Sequence, residues 1–222
     1  MNNLKIKAAI FDMDGTLVDS LSFWDVFWAD MGEKYKGDKN FRPSEEDDKY
    51  VRTTTLRELG EFLYEKYGFG ESVEDIIRGG EDYMRNFYIE KVSAKSGVTA
   101  FLDKLVRDGT KMCIASASQP NLILVALEHT GLSKYFDKII SCSDVGAGKN
   151  KPDVFFAAAE YLGEKPQDIW VFEDSLTAIE TAAAAGFKTV AVYDKHNYGH
   201  QRMKEIATEY VAEGETLLKL EV

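Results

Sequence analysis

The sequence predicts an α/β protein in three layers, a parallel sheet between helices, with a helical domain inserted after the first strand. Three observations carry that prediction. After residue 96, helix-like and strand-like segments alternate; residues 18–91 break the alternation with helix formers; and the apolar segment "KAAIFD" (7–12) precedes both. Strands separated by crossover helices pair in parallel and have both faces covered.

Taken in order, "KAAIFD" is the first strand. The stretches "SLSFWDVFWADMGEKY", "TTTLRELGEFLYEKYG" and "SVEDIIRGGEDYMRNFYIEKV" hold almost no β-branched apolar run and read as helices. They define an inserted domain, residues 18–91, joined to a core of residues 1–17 and 92–222 by linkers near 18–21 and 91–96. Within it, Trp24 and Trp28 lie one helical turn apart beside Phe23 and Phe27, a pattern read as core packing in preference to a substrate-stacking platform. "SEEDDK" (44–49) reads as a solvated loop or helix start. In the core, "GVTAFLDKLVRDG" (97–109) is a helix closed by Gly, "KMCIASA" (111–117) a strand, "NLILVALEHTG" (121–131) a helix and "KIISCS" (138–143) a strand. "KPDVFFAAAEYLG" (151–163) is a helix with Pro in its first turn and Gly after its end. "DIWVFE" (168–173), "SLTAIETAAAAG" (175–186) and "KTVAVYD" (188–194) complete the series as strand, helix and strand.

Bulk properties narrow the function. The 222 residues are 45% hydrophobic and 29% charged, as in a globular protein with a sizeable core. A net charge of −11 argues against nucleic acid or an anionic membrane as partner. Any anion site must therefore carry its own cations, because screening over roughly 8–10 Å makes local charge decisive. No apolar run reaches membrane-span length, and the N-terminal "MNNLKIKAAIFDMDG" has no signal-peptide core. The two cysteines, Cys113 and Cys142, sit in apolar runs and read as buried free thiols. A cytoplasmic monomer is the expectation.

Chemistry concentrates where strands end. In "AAIFDMDGTLVDS" (8–20) two aspartates stand at the mouth of an apolar strand. Residues i and i+2 of an extended chain share a side, so Asp12 and Asp14 project together while Met13 turns to the core. Gly15 lets the chain turn sharply. A turn with Asx hydrogen bonds is one reading; a calcium loop is a poorer one, since the EF-hand spacing is absent. Ser116 lies just beyond the second strand's apolar run, Lys151 stands before Pro152, and "WVFEDS" ends a strand in Glu173 and Asp174. Singly, each could be a helix cap, a surface lysine or an acidic helix start. Together they fall at strand carboxyl ends, where open parallel sheets bind ligands. Acids so concentrated need a hard cation, and Mg²⁺, which keeps waters and takes phosphate oxygens, suits the set.

The motifs "DMDGT", "IASAS", "KPDVF" and "FEDS", in that order, resemble those of the haloacid dehalogenase superfamily, in the helical-cap branch typified by β-phosphoglucomutase and related phosphatases. The resemblance covers the layout of essentially the whole chain and implies a Rossmann-like core. By position, it implies Asp12 as the nucleophile and Asp14 as the acid/base whose carbonyl also binds Mg²⁺. It implies Ser116 and Lys151 as holders of the phosphoryl oxygens, Asp174 as a metal ligand, and Glu173 as a direct or indirect helper. Asp14 favours phosphoryl transfer over carbon–halogen cleavage, because dehalogenases proper lack the phosphatase-type Asp there.

"VRTTTLRE" (51–58) loosely resembles a cap element that grips a distal phosphate, with Arg52 at the matching position; a solvated helix arginine is the alternative. His196 and His200 stand at i,i+4 without an evident third ligand and read as exposed loop or helix-start residues. His129 complements a helix end. The expectation is an Mg²⁺-dependent phosphatase of a small phosphorylated metabolite, a sugar phosphate foremost. A phosphoglucomutase and a catalytically silent phosphometabolite sensor are the rivals.

Overall fold

The computed structural model describes residues 4–52 and 54–221. Among them, six parallel strands form one sheet: β1 (Ala8–Phe11), β2 (Lys111–Ser116), β3 (Ile139–Ser141), β4 (Ile169–Glu173), β5 (Lys188–Val192) and β6 (Glu209–Val211). Their order is β3-β2-β1-β4-β5-β6. The chain thus builds outward from β1 on one side, then returns to lay β4 against β1's other edge. That reversal opens a crevice at the carboxyl ends of β1 and β4.

β1 is apolar throughout because it is buried on both faces. Ala8 and Ile10 join one cluster with Val154, Phe155 and Ile169, while Ala9 and Phe11 join the opposite cluster with Phe101, Ile114 and Phe172. Phe11 stacks on Phe172, its register partner in β4, with centroids 4.4 Å apart. The β1–β4 pairing is therefore fixed at the last residue before Asp12.

Between β1 and β2 come α1 (Phe23–Lys36), α2 (Glu45–Val51), α3 (Leu56–Phe62), α4 (Val73–Lys91) and α5 (Val98–Arg107). The first four gather their own aromatic cluster, which includes Phe23, Trp24, Phe27, Trp28 and Phe69. The tryptophans thus do the packing expected of them. α4 runs on beyond this cluster: Met84 and Phe87 touch both it and the sheet's cluster, and Tyr88 and Val92 belong to the latter. The two connections lie side by side, with the Asp19 amide donating to Ser93 O and the Lys95 amide to Leu17 O, each at 2.9 Å.

After β2 follow α6 (Pro120–Thr130), α7 (Cys142–Val145), α8 (Asp153–Leu162), α9 (Leu176–Ala184) and α10 (His200–Ile206). α10 and β6 were not expected. β6 has three residues and only Val211 is buried, so no apolar run announces it. The third strand is shorter than its apolar run, because Ser141 caps α7 and turns Cys142 into a helix.

The acidic stretch at 44–49 is a helix start, exposed at Ser44, Glu45, Glu46 and Lys49 but not at Asp47 and Asp48. Ser44 caps α2, and Asp47 and Asp48 are buried. Asp47 accepts from Lys66 (2.6 Å) and Tyr67 (2.5 Å), Asp48 from Trp28 (2.7 Å), Arg52 (2.8 Å) and Tyr198 (2.6 Å). Cys113 and Cys142 are free and buried, and burial pushes their thiols up to about 12 and about 11. Among the described residues no helix is long and apolar enough to cross a membrane.

Candidate active site

Asp12 is the first residue past β1, and its amide still donates to Phe172 O (2.9 Å), so strand pairing fixes its backbone. Met13 is fully buried, and Asp12 and Asp14 line one cleft. Gly15 (φ +78°) must be glycine for two reasons: the backbone is left-handed, and a Cβ would lie 2.2 Å from Asp174 Oδ2.

β4 delivers Glu173 and Asp174 to the same place. Asp12, Glu173 and Asp174 are all buried, and each offers an oxygen within 4.8 Å of the others. Burial raises the Asp12 carboxyl well above the usual range; Lys149 opposes the rise, while Glu173 and Asp174 add to it. Burial, then the Glu173 charge, pushes Asp174 up to about 7. Three buried acids against one ammonium leave the cluster short of positive charge. An all-oxygen set of this kind fits a hard divalent cation.

The ammonium belongs to Lys149, not Lys151. Lys149 is buried and donates to both Asp12 and Glu173. Burial disfavours its charge, but the two carboxylates outweigh that cost and hold it above the ordinary lysine range. Lys151 is exposed. Lys149 enters the cleft just before the turn closed by the Lys151 amide on Gly148 O (3.0 Å). "GKNKP" offers two lysines, and the helix-start position of Lys151 does not bring its ammonium to the acidic cluster, whereas Lys149 reaches it.

Glu173 commits both oxygens, one to Lys149 and the other to the amides of Asp174 (3.1 Å) and Ser175 (3.2 Å). Asp174 accepts from Thr16 (3.1 Å) and from the Asn197 side chain (2.8 Å). Ser116, the last residue of β2, is buried, lines the cleft, and accepts the Ser118 amide at 3.1 Å. Asp14 accepts three hydroxyls, from Ser20 (2.7 Å), Tyr88 (2.8 Å) and Ser118 (2.8 Å). The Lys95 ammonium pins the turn from the far side, bonding Gly15 O and Asp194 (2.8 Å). Ser20 and Ser118 fall within the stretches "AAIFDMDGTLVDS" and "IASAS", whereas Tyr88, Lys95 and Asn197 lie outside the strand-end motifs, and no local pattern in the sequence marks them.

The cleft's other wall comes from α1, α2 and α4, through Phe23, Trp24, Lys49 and Met84. Arg52 also lines it, but its guanidinium is engaged. Nε and Nη2 each lie 2.8 Å from Asp48 Oδ2, Nη1 donates to His196 O (2.9 Å), and the group sits 5.6 Å from the ring centroids of both Trp24 and Tyr198. His196 is half-buried rather than exposed and faces Asp25 (3.0 Å); His200 opens α10, also half-buried, against Tyr193. His129 lies in the last turn of α6.

A family model for haloacid dehalogenase-like hydrolases matches residues 6–186. A phosphorylated carbohydrates phosphatase of Thermotoga maritima is 26% identical over 186 residues, 83% of this chain and 84% of that one. A GMP/IMP nucleotidase of Escherichia coli is 26% identical over 198 residues, covering 82% and 81%. In fold, the chain resembles a β-phosphoglucomutase from Clostridium difficile (TM-score 0.75, 21% identity, covering 94% and 91%). It also resembles CbbY from Rhodobacter sphaeroides in complex with phosphate (TM-score 0.78, 20% identity, covering 98% and 100%).

Proposed function

Because the chain belongs to the haloacid dehalogenase-like hydrolases, we propose that it is a phosphatase that hydrolyses a small phosphorylated metabolite, a sugar phosphate foremost, through an aspartyl-phosphate on Asp12. The observation that carries this reading is the buried group of Asp12, Glu173 and Asp174, with Lys149 bound to the first two and the hydroxyl-bound Asp14 lining the same cleft. In this reading residues 1–17 and 92–222 are the catalytic core and 18–91 the cap that covers it.

An Asp12 oxygen attacks phosphorus, the ester P–O bond breaks, and Asp14 gives its proton to the departing oxygen. Water then attacks phosphorus, Asp14 takes the water's proton, and the P–O bond to Asp12 breaks to restore the carboxylate. Two displacements replace one slow hydrolysis. Lys149 and the Ser116 hydroxyl hold phosphoryl oxygens, and Glu173 keeps Lys149 charged and in place. Asp12, Asp174 and the carbonyl of Asp14 would hold Mg²⁺. When bound, the ion neutralises phosphoryl charge and favours ionised Asp12.

Hydrolysis is preferred over mutase chemistry because a mutase must hold a second phosphate at the far end of the cleft. Arg52, the residue that matches the family's distal-phosphate grip, already has its guanidinium bound by Asp48 and His196 O. Both aspartates speak against a silent sensor.

The test is phosphate release from a panel of phosphate esters, with isomer formation read in parallel. EDTA should abolish release and Mg²⁺ restore it, with Ca²⁺ a poor substitute. Because a cation competes with protons for these raised carboxyls, Mg²⁺ should also raise the melting temperature more at pH 8 than at pH 5.5. Full turnover in EDTA, or isomer without phosphate, would contradict the proposal.

A further inference from the structure

Asp14 is held by hydroxyls from three separate segments: Ser20 on the way into α1, Tyr88 near the end of α4, and Ser118 after β2. A carboxylate has about four lone-pair positions, and each hydroxyl has one proton to give. Oδ1 takes Ser20 at 2.7 Å and Tyr88 at 2.8 Å. Oδ2 takes Ser118 at 2.8 Å, while its contact with Tyr88 is the longer one at 3.0 Å. Oδ1 is therefore filled and Oδ2 is not.

Resting on the acid/base reading of Asp14 above, we infer that Tyr88 is a positioning residue which, with Ser20 and Ser118, confines the transferable proton to a single lone pair on Asp14 Oδ2. Tyr88 suits that task. It is fully buried in the sheet's hydrophobic cluster, so its ring cannot swing, and its hydroxyl lies within donating distance of both Asp14 oxygens. Ser118 is fixed as firmly: its amide donates to Ser116 Oγ (3.1 Å) and its carbonyl accepts Ser141 Oγ (2.8 Å). The group that aims the proton is thereby tied to the serine that holds the phosphoryl oxygens. Both proton transfers, to the leaving oxygen and later from water, run through the same oxygen, so the carboxylate need not rotate between steps.

The test is Tyr88→Phe in the full-length, Mg²⁺-loaded protein, which removes the hydroxyl and keeps the ring. Turnover of an alkyl phosphate should fall about 10–100-fold, part of what general acid/base help is worth. KM should stay within about twofold, since ground-state binding is untouched. With p-nitrophenyl phosphate, whose leaving group departs without a proton, the nitrophenolate burst should keep the wild-type rate and the later steady state should slow. Ser118→Ala should show the same split, and serves as the readout should Tyr88→Phe fail to fold. Equal losses in burst and steady state, or no loss at all, would overturn the inference while leaving the phosphatase reading intact. A wild-type protein that releases no phosphate from any ester would overturn that reading, and the inference with it.

Discussion

At the sheet's carboxyl ends Asp12 and Glu173 are buried on one ammonium with Asp174 beside them, whereas across the cleft α1–α4 bury Phe23, Trp24, Phe27 and Trp28 around one another. The first wall keeps charge out of water and depends on a few exact partners. The second gains stability in the ordinary way, from aromatic packing, and its charges are paired where they meet the core loop after β5. Removing one partner should therefore be severe in the first wall and moderate in the second.

The largest effect expected is from Lys149→Met. It leaves Asp12 and Glu173 buried without their cation, a loss of about 3 kcal/mol or more in stability. Phosphate release should fall by about 10²-fold or more as a phosphoryl-oxygen donor is lost. Lys151→Met, two residues away and exposed, should change stability by no more than about 0.5 kcal/mol and leave activity near wild type. Melting curves and initial rates of the pair decide which lysine belongs to the site, and the opposite ranking would reverse the assignment.

This pair also marks the limit of what the residues alone reveal. The order of strands and helices followed from apolar runs and their punctuation, and Asp12, Asp14, Ser116, Glu173 and Asp174 were visible because each ends or follows a strand. Lys149 comes from the connection between α7 and α8, two residues before Lys151, and no apolar run or strand end marks which of the two lysines reaches Asp12. Tyr88 and Ser118 are remote from Asp14 in sequence, and Asn197 from Asp174; they meet only when α4 roots in the core and the loop after β5 folds back. The burial of Asp47 and Asp48 was hidden for the same reason, since an acidic run looks solvated until its partners Trp28, Lys66 and Tyr198 are in place.

A smaller effect is expected across the cleft. Arg52→Ala removes the contacts to Asp48 and His196 O and should lower kcat/KM about 5–20-fold through looser seating of α2 on the core. The loss should be the same for esters with and without a second anionic group. A loss confined to bisphosphates would return Arg52 to the role of a distal phosphate grip and favour mutase chemistry.

The central claim, that Asp12 carries the phosphoryl group and Asp14 moves the proton, is tested most directly by intact-protein mass spectrometry. Asp12→Asn and Asp14→Asn proteins are mixed briefly with acetyl phosphate and Mg²⁺. Acetate leaves without needing a proton, so Asp14→Asn should still be phosphorylated, and it should hold the group because water is no longer activated. The account predicts one added phosphoryl group on Asp14→Asn and none on Asp12→Asn; an adduct on Asp12→Asn alone, or none on wild type and both variants, would contradict it.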